Sequence, residues 1–381
     1  MGAYFDNAAT TFPKPEEVYT YMDKFYRENG GNAGRGQYKL AASASRTISE
    51  TRKMLQTILQ CENKEVIFAP SATLAMNMVL QGIVTHPGMN VYISPFEHNA
   101  VTRTLYALSK RLAIHVIVLP FHIEEGYDLN EVKNAFEKQT PNVLVISHAS
   151  NVCGFIAPVE DLCALAKQYD CITVLDLAQT AGLVPITLRS SAIDYAVFAG
   201  HKTLYGPIGI GGFIKKPESN PQPVLFGGTG VESALQDMPH DAPARYEMGS
   251  QNIHAIAGLH AALSWFIDKQ DEIRQVEKSN HEQLLKILGK YSNITIVGPR
   301  ERQNCIGVVS CLFDGYSSDN IGDVLDRQGI AVRTGLHCAP LAHKTLGTFP
   351  AGTVRFSVSY FTSERDFESL DTALAYIEEN A

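Results

Sequence analysis

In "DYAVFAGHKTLYGPIGIGG", residues 194–212, a run suited to a strand ends in the dipeptide His201-Lys202. Glycines crowd around it at Gly200, Gly206, Gly209, Gly211 and Gly212, and glycine lets a backbone turn sharply and approach a ligand closely. Upstream, Asp176 closes the apolar run of "VLDLAQTAG", a position where ligand-facing groups gather in open α/β sheets. A carboxylate ending one strand and a lysine ending a later one are the pair that pyridoxal phosphate requires. The lysine forms a Schiff base with the aldehyde, and the carboxylate keeps the pyridine nitrogen protonated so that the ring accepts electrons. Gln179, three residues after Asp176, is within reach of the ring hydroxyl. In "APSATLAMN", Ala72 and Thr73 open a helix whose free amides and positive dipole end suit a phosphate. "FEHNAV" offers His98 as a planar group to stack on a ring, and "SHASNVCG" puts the amide of Asn151 at a strand end, where it could bond a ring oxygen. Near the chain end, "VRTGLHCAPLAHKTLG" carries Cys338 in a Gly- and Pro-marked stretch, where the thiol is open to three readings: a small buried apolar group, a metal ligand or a nucleophile.

Taken singly, each of these residues has an ordinary reading. Lys202 is then a solvated surface lysine, Asp176 a helix cap, His98 a structural imidazole, and Ala72-Thr73 the start of a capped helix. Cys338 is then a small buried thiol. A dinucleotide site is disfavoured, because Gly209-x-Gly211 lacks the later glycine and precedes a strand-like run. What joins Lys202, Asp176, Ala72-Thr73, His98 and Asn151 is location, since all fall at expected carboxyl ends of strands.

The elements that would position them read as an α/β protein with a mainly parallel sheet. Strands are expected at "EVIFAP", "NVYIS", "IHVIVLP", "NVLVISH", "ITVLDLA", "DYAVFAG" and "IGIGGFIKK". Ser71 is placed to cap the helix of "SATLAMNMVLQGIV", and "PVEDLCALAKQY" makes a helix between two strands. After the Pro- and Gly-rich "KKPESNPQPVLFGGTG", a helix is expected from Asn252 to Lys269, then a charged one over "DEIRQVEKSNHEQLLKILGKY". A strand "CIGVVSCLF", a helix "NIGDVLDRQG" and a strand "TVRFSVSYF" complete a smaller α+β unit. The expected division is a large domain over 16–254 and a small one made of 1–15 and 255–381.

The 381 residues are 45% hydrophobic, enough for a full core. The net charge is −8 and the 32 Lys and Arg are scattered, which disfavours nucleic acid and anionic membranes as partners. No apolar stretch approaches the roughly 18 residues of a membrane span. The amino-terminal residues lack a basic segment followed by an apolar run, so no secretory signal is expected. Seven cysteines without a Cys-x-x-Cys pair argue against a disulfide framework or a structural zinc site; no metal is expected, and a reducing cytoplasm fits.

At this point the chain resembles a known family, the class V aminotransferase-like pyridoxal phosphate enzymes of fold type I, and within them the cysteine desulfurases and selenocysteine lyases. The resemblance runs through "YFDNAATTFPKP", "NAGRGQYKLA", "EHNAV", "SHASNVCG", "VLDLAQTAG", "FAGHKTLYGPIGIGG", "RYEMGSQN", "VRTGLHCAPL" and "VRFSVSYF". It implies a seven-stranded, mainly parallel sheet with a smaller α+β domain. It further implies Lys202 as the Schiff-base lysine, Asp176 as the pyridinium partner, Gln179 as the phenolic-oxygen ligand and His98 as the stacking ring. Ala72, Thr73 and His201 look like phosphate ligands, joined by Thr229 from a neighbouring subunit, which implies a homodimer. Arg355 matches the arginine that grips the substrate carboxylate, with a surface arginine on an edge strand as the ordinary alternative. Arg333, five residues before Cys338, reads as a second carboxylate or loop contact. Many relatives carry Ser where this chain has Ala199, so one phosphate hydrogen bond is expected to be missing.

The implied reaction converts L-cysteine to L-alanine. Lys202 removes the α-proton, and the Cys338 thiolate attacks the substrate sulfur to become a persulfide, which passes to an acceptor, plausibly a dedicated protein. Cys153, close to Asn151, is the other cysteine whose role stays open. Three alternatives remain: a selenocysteine lyase, another aminotransferase or lyase of the same fold in which Cys338 is incidental, and a scaffold that has lost activity.

Overall fold

The computed structural model describes residues 2–33, 36 and 38–380; Gly34, Arg35 and Gln37, within the quoted "NAGRGQYKLA", lie outside the described residues, as do Met1 and Ala381. The first part of the chain forms β1 (Ala3–Tyr4), α1 (Glu16–Asn29), α2 (Lys39–Ile58), β2 (Glu65–Ala69), α3 (Ala72–Ile83), β3 (Asn90–Ile93), α4 (Asn99–Leu112), β4 (His115–Val118) and α5 (Leu129–Lys138). There follow β5 (Val143–Ser147), α6 (Val159–Lys167), β6 (Ile172–Asp176), β7 (Tyr195–Ala199), β8 (Gly211–Lys215) and α7 (Ile253–Leu288). The remainder forms β9 (Ile294–Val297), β10 (Val308–Phe313), α8 (Ser318–Arg327), β11 (Ile330–Ala331), β12 (Arg333–Gly335), α9 (Pro340–Thr345), β13 (Thr353–Ser357) and α10 (Glu364–Glu379).

Seven strands make the central sheet in the order β2-β8-β7-β6-β5-β3-β4. All its pairings are parallel except those of β8, which runs against both β7 and β2. Strands covered on both faces need apolar residues at consecutive positions, and β5 to β7 have them. Val143, Val145, Val174 and Val197 enter one core with Val101 and Leu105 of α4. The alternate residues Leu144, Ile146, Leu175 and Phe198 enter the other with Leu162 of α6 and Leu263 of α7. Burying each such side chain contributes about 1.5–3 kcal/mol. With β3, β5, β6 and β7 parallel, their carboxyl ends share one rim, which is where the sequence placed its polar signals.

A second sheet, antiparallel and ordered β12-β13-β10-β9, packs under α8 and α10, with Phe356, Val309, Leu325, Phe367 and Leu374 in its core. The two helices expected between Asn252 and Tyr291 are a single helix, α7, of 36 residues. Between Lys269 and Asp271 there is neither glycine nor proline, and the charged run marks a solvated stripe rather than a break. Residues Ile253 to Ile273 of this helix pack in the core of the large sheet, while Leu284 and Leu288 pack in that of the small one. Strands β1, β9, β11 and β12, of two to four residues each, carry no readable periodicity and were not expected.

Candidate active site

Asp176 is the last residue of β6, and Lys202 stands three residues beyond β7. After Ala199 the chain turns back at once, with the Gly206 amide donating to the Gly200 carbonyl at 2.8 Å and the Tyr205 amide to the Lys202 carbonyl at 2.9 Å. Both Asp176 and Lys202 line one cleft at the sheet's rim, together with Ala72, Thr73, His98, Asn151, Gln179, His201, Arg333, Cys338 and Arg355. Of the residues expected at the site, Thr229 alone stands apart. It is half-buried in an irregular segment, its hydroxyl donating to the Val231 carbonyl at 3.1 Å.

The electrostatics follow from burial in a place with few counter-charges. Burial pushes the Lys202 amine down to about 8, Asp176 pulls it back up, and Arg355 and Arg333 add to the fall. The Asp176 carboxyl is raised by burial, against the Ala178 amide, which donates to Oδ1 at 2.8 Å, and against Lys202. His98 caps α4, its Nδ1 accepting from the Ala100 amide at 3.0 Å. Burial, with Lys202 and Arg333 behind it, lowers that imidazole to about 4. With Nδ1 accepting, the neutral ring carries its hydrogen on Nε2.

On one wall of the cleft, Ser71 caps α3 by accepting from the Leu74 amide at 3.2 Å, and Ala72 and Thr73 open the helix against the cleft. Strand β8 passes close behind. A Cβ on Gly211 would lie 2.9 Å from the Ala72 nitrogen, so only glycine leaves this helix start in place. Beneath the rim, Glu97 is wholly buried; it accepts from the Ser147 amide at 2.6 Å, and burial raises its carboxyl to about 8.

On the other wall, Arg355 lies on the interior strand β13 with only 1% exposure, so the surface alternative does not hold. Its Nη1 donates to the Asn151 carbonyl at 3.0 Å and its Nη2 to Asp6 Oδ1 at 2.7 Å, while Nε has no partner among the described residues. Arg333 sits directly opposite it across β12 and β13. Two guanidiniums facing one another repel, and an anion between them relieves the repulsion.

Cys338 is held by its backbone. His337 and Cys338 both take left-handed conformations, φ 46° and 57°, each costing about 1–2 kcal/mol in a non-glycine residue. The turn is fixed from three sides. Asn99 donates its amide to the Cys338 carbonyl at 2.7 Å, Asn151 Nδ2 donates to the His337 carbonyl at 2.7 Å, and the His337 ring meets Thr353 Oγ1 at 2.9 Å. Arg333 Nη2 lies 3.5 Å from the Cys338 sulfur. Cys153, by contrast, is fully buried, its thiol raised by burial, and it does not line the cleft.

Comparison with known proteins gives this constellation its family. The class-V aminotransferase family profile matches residues 3–370. A cysteine desulfurase of Pectobacterium carotovorum is 30% identical over 98% of this chain and 93% of its own length. The chain belongs to the class-V aminotransferases and, within them, to the cysteine desulfurase family. A probable cysteine desulfurase of Methanothermobacter thermautotrophicus is 28% identical over 98% of this chain and 94% of its length. Among solved structures, the apo cysteine desulfurase of Thermococcus onnurineus superposes with a TM-score of 0.92 at 27% identity, covering all of this chain and 95% of that one. A cysteine desulfurase of Escherichia coli, solved as an S-sulfonic acid form, gives 0.87 at 26%, again covering all of this chain and 95% of that one. The fold that this family membership implied, a seven-stranded mainly parallel sheet with a smaller α+β unit, is the fold observed.

Sequence reasoning named no role for Asp6, Thr10, Thr11, Lys14 or Glu97, which hold or underlie the named residues. The available signal was "DNAATTFPKP", whose density of small and hydroxyl residues suits close backbone approach. No helix among the described residues is long and apolar enough to cross a membrane.

Proposed function

We propose that this protein is a pyridoxal-phosphate-dependent cysteine desulfurase that converts L-cysteine to L-alanine and carries the sulfur on Cys338. The observation behind this reading is one cleft holding a low-titrating lysine, a buried carboxylate and a thiol with a guanidinium 3.5 Å from its sulfur.

The residues fit the cofactor. The buried Nδ1 of His201 has no partner among the described residues, the Ala72 and Thr73 end of α3 faces the cleft, and Gly211 of β8 leaves room beside it. This donor set suits a phosphate, while Asp176 suits a protonated ring nitrogen and the planar His98 a ring face. When bound, pyridoxal phosphate supplies an electron sink for the carbanion at the substrate's α-carbon. Asp176 would hold the ring proton, Gln179 and Asn151, which line the same cleft, would meet the ring's oxygens, and Ala199 offers no hydroxyl to the phosphate. Arg355, through its unpartnered Nε, and Arg333 opposite it hold the substrate carboxylate.

Lys202, released as a free amine, takes the α-proton. Its lowered value suits a base near neutral pH. Cys338 as thiolate then attacks the substrate sulfur: the new S–S bond forms, the C–S bond breaks, and its electron pair stays with the alanine skeleton. Arg333 is the counter-charge for anionic sulfur at this position. Thr229, which stands outside the cleft of its own chain, is read as a phosphate contact to a second subunit of a homodimer. Seven free cysteines fit a reducing cytoplasm, and an acceptor protein would collect the persulfide.

The test is mass spectrometry of the purified holoenzyme after exposure to L-cysteine. One sulfur atom added on Cys338, with stoichiometric alanine, is the expected result. Alanine formation from cysteine that survives Cys338→Ala overturns the mechanism.

A further inference from the structure

The amino-terminal segment does more than tie the small sheet to the large one. Phe5 and Asn7 are tied to β13 of the small sheet, the Phe5 carbonyl accepting from the Ser357 amide at 2.7 Å and Asn7 Nδ2 donating to the Ser357 carbonyl at 2.8 Å. The segment then crosses to the turn that carries Lys202. There the His201 carbonyl accepts from three donors: the Thr11 amide at 3.1 Å, Thr10 Oγ1 at 3.1 Å and Lys14 Nζ at 2.7 Å. Thr11 Oγ1 donates to the next carbonyl, that of Lys202, at 2.9 Å. Two successive carbonyls, on either side of the Lys202 nitrogen and α-carbon, are thus held by one short run of chain.

Lys14 is the unusual member. Its ammonium is half-buried, and among the described residues it finds a backbone carbonyl and no carboxylate; burial alone lowers it to about 7. A half-buried cation with one carbonyl for a partner loses hydration that the single hydrogen bond must offset, which makes that carbonyl a fixed point of the turn. The carbonyl precedes the residue whose amine must reach both a cofactor and a proton.

We infer that residues 10–14 form a clamp on Lys202, in which Lys14, Thr10 and Thr11 are positioning residues that aim the catalytic amine through its backbone. This rests on the assignment of Lys202 in the proposed function, but its test does not require turnover. Without the clamp's four hydrogen bonds to the His201 and Lys202 carbonyls, the turn is expected to loosen and admit water to the Lys202 side chain, weakening the downward push of burial.

The experiment is pH-dependent acetylation of the cofactor-free protein with an amine-reactive ester, read at Lys202 by peptide mass spectrometry and normalised to exposed Lys138. Lys14→Met is expected to raise the Lys202 labelling midpoint by about one unit. Lys14→Arg, which restores a cationic donor, returns it close to wild type. Thr11→Val removes one hydrogen bond and no charge, and moves the midpoint the same way by less. In the holoenzyme, Lys14→Met lowers kcat for L-cysteine by about 10- to 100-fold with KM little changed, since the carboxylate contacts are untouched. An unshifted Lys202 midpoint in both Lys14→Met and Thr11→Val overturns the clamp, whatever happens to thermal stability. Should Lys14→Met fail to fold, Lys14→Gln and Thr11→Val carry the same decision. A shifted midpoint in a protein that releases no sulfur from cysteine leaves the clamp standing and removes the desulfurase reading instead.

Discussion

Residues at the rim divide into those that face the cleft and those that hold them, and only the former were legible in the chain. Lys202, Asp176, His98 and Asn151 could be read because each ends an apolar run or follows one closely, and a polar group there has few structural uses. Asp6 and Glu97 gave no such signal. Asp6 lies 349 positions from Arg355, and nothing local announces the pair. Two substitutions separate roles. Asp176→Asn keeps the shape and removes the charge, so alanine formation should fall about 100-fold or more while cofactor is retained, which absorbance and product assay together can check. Arg355→Lys keeps the charge and loses the planar fork; a lost charge-assisted hydrogen bond of about 1.5–3 kcal/mol should raise KM for cysteine roughly 10- to 100-fold, and steady-state kinetics would show it.

At the scale of elements, the sheet was readable because parallel strands buried on both faces need unbroken apolar runs, and those runs stand in the sequence. Short edge pairings such as β1 with β11 have no such need and left no mark. The join between the two units was missed for the opposite reason: charge in the middle of α7 looked like an interruption and is only its wet side. The meeting of β8 with the start of α3 makes a sharper point about glycine. In Gly211→Ala the new methyl would press on the Ala72 amide and the Phe198 carbonyl, 2.9 and 2.8 Å away, and something must shift. Cofactor affinity, measured by equilibrium dialysis, is expected to weaken about tenfold, or about 1.4 kcal/mol, with the far-ultraviolet circular dichroism unchanged. An unaltered affinity would mean that the helix start does not hold the phosphate.

For the whole molecule, buried imidazoles set the response to acid. His98, His148, His201, His281 and His343 are lowered from 6.5 to about 4, and His337 to about 2, burial being the largest cause in each. Each therefore binds a proton more readily in the unfolded chain, and the stability it contributes is present above 6.5 and lost as pH falls towards 4. Glu97 and Glu277, raised by burial to about 8 and about 7, act in the opposite direction, and the histidines outnumber them. Stability should thus fall from pH 6.5 to 4.5 by roughly 1.4 kcal/mol per unit for each uncompensated proton. Calorimetry of the cofactor-free protein showing a flat or rising midpoint over that range would contradict it. The unbroken helix α7 has a mechanical consequence. Thirty-six residues rooted in both cores, with no glycine after Gly258 and no proline, make a stiff beam where a hinge would otherwise sit. A jaw-like closing of one unit on the other would find no glycine or proline hinge along this helix beyond Gly258. In the proposed reaction Cys338 would meet the incoming sulfur by rotation of its own side chain, from a turn that His337 and Cys338 already hold in the left-handed region.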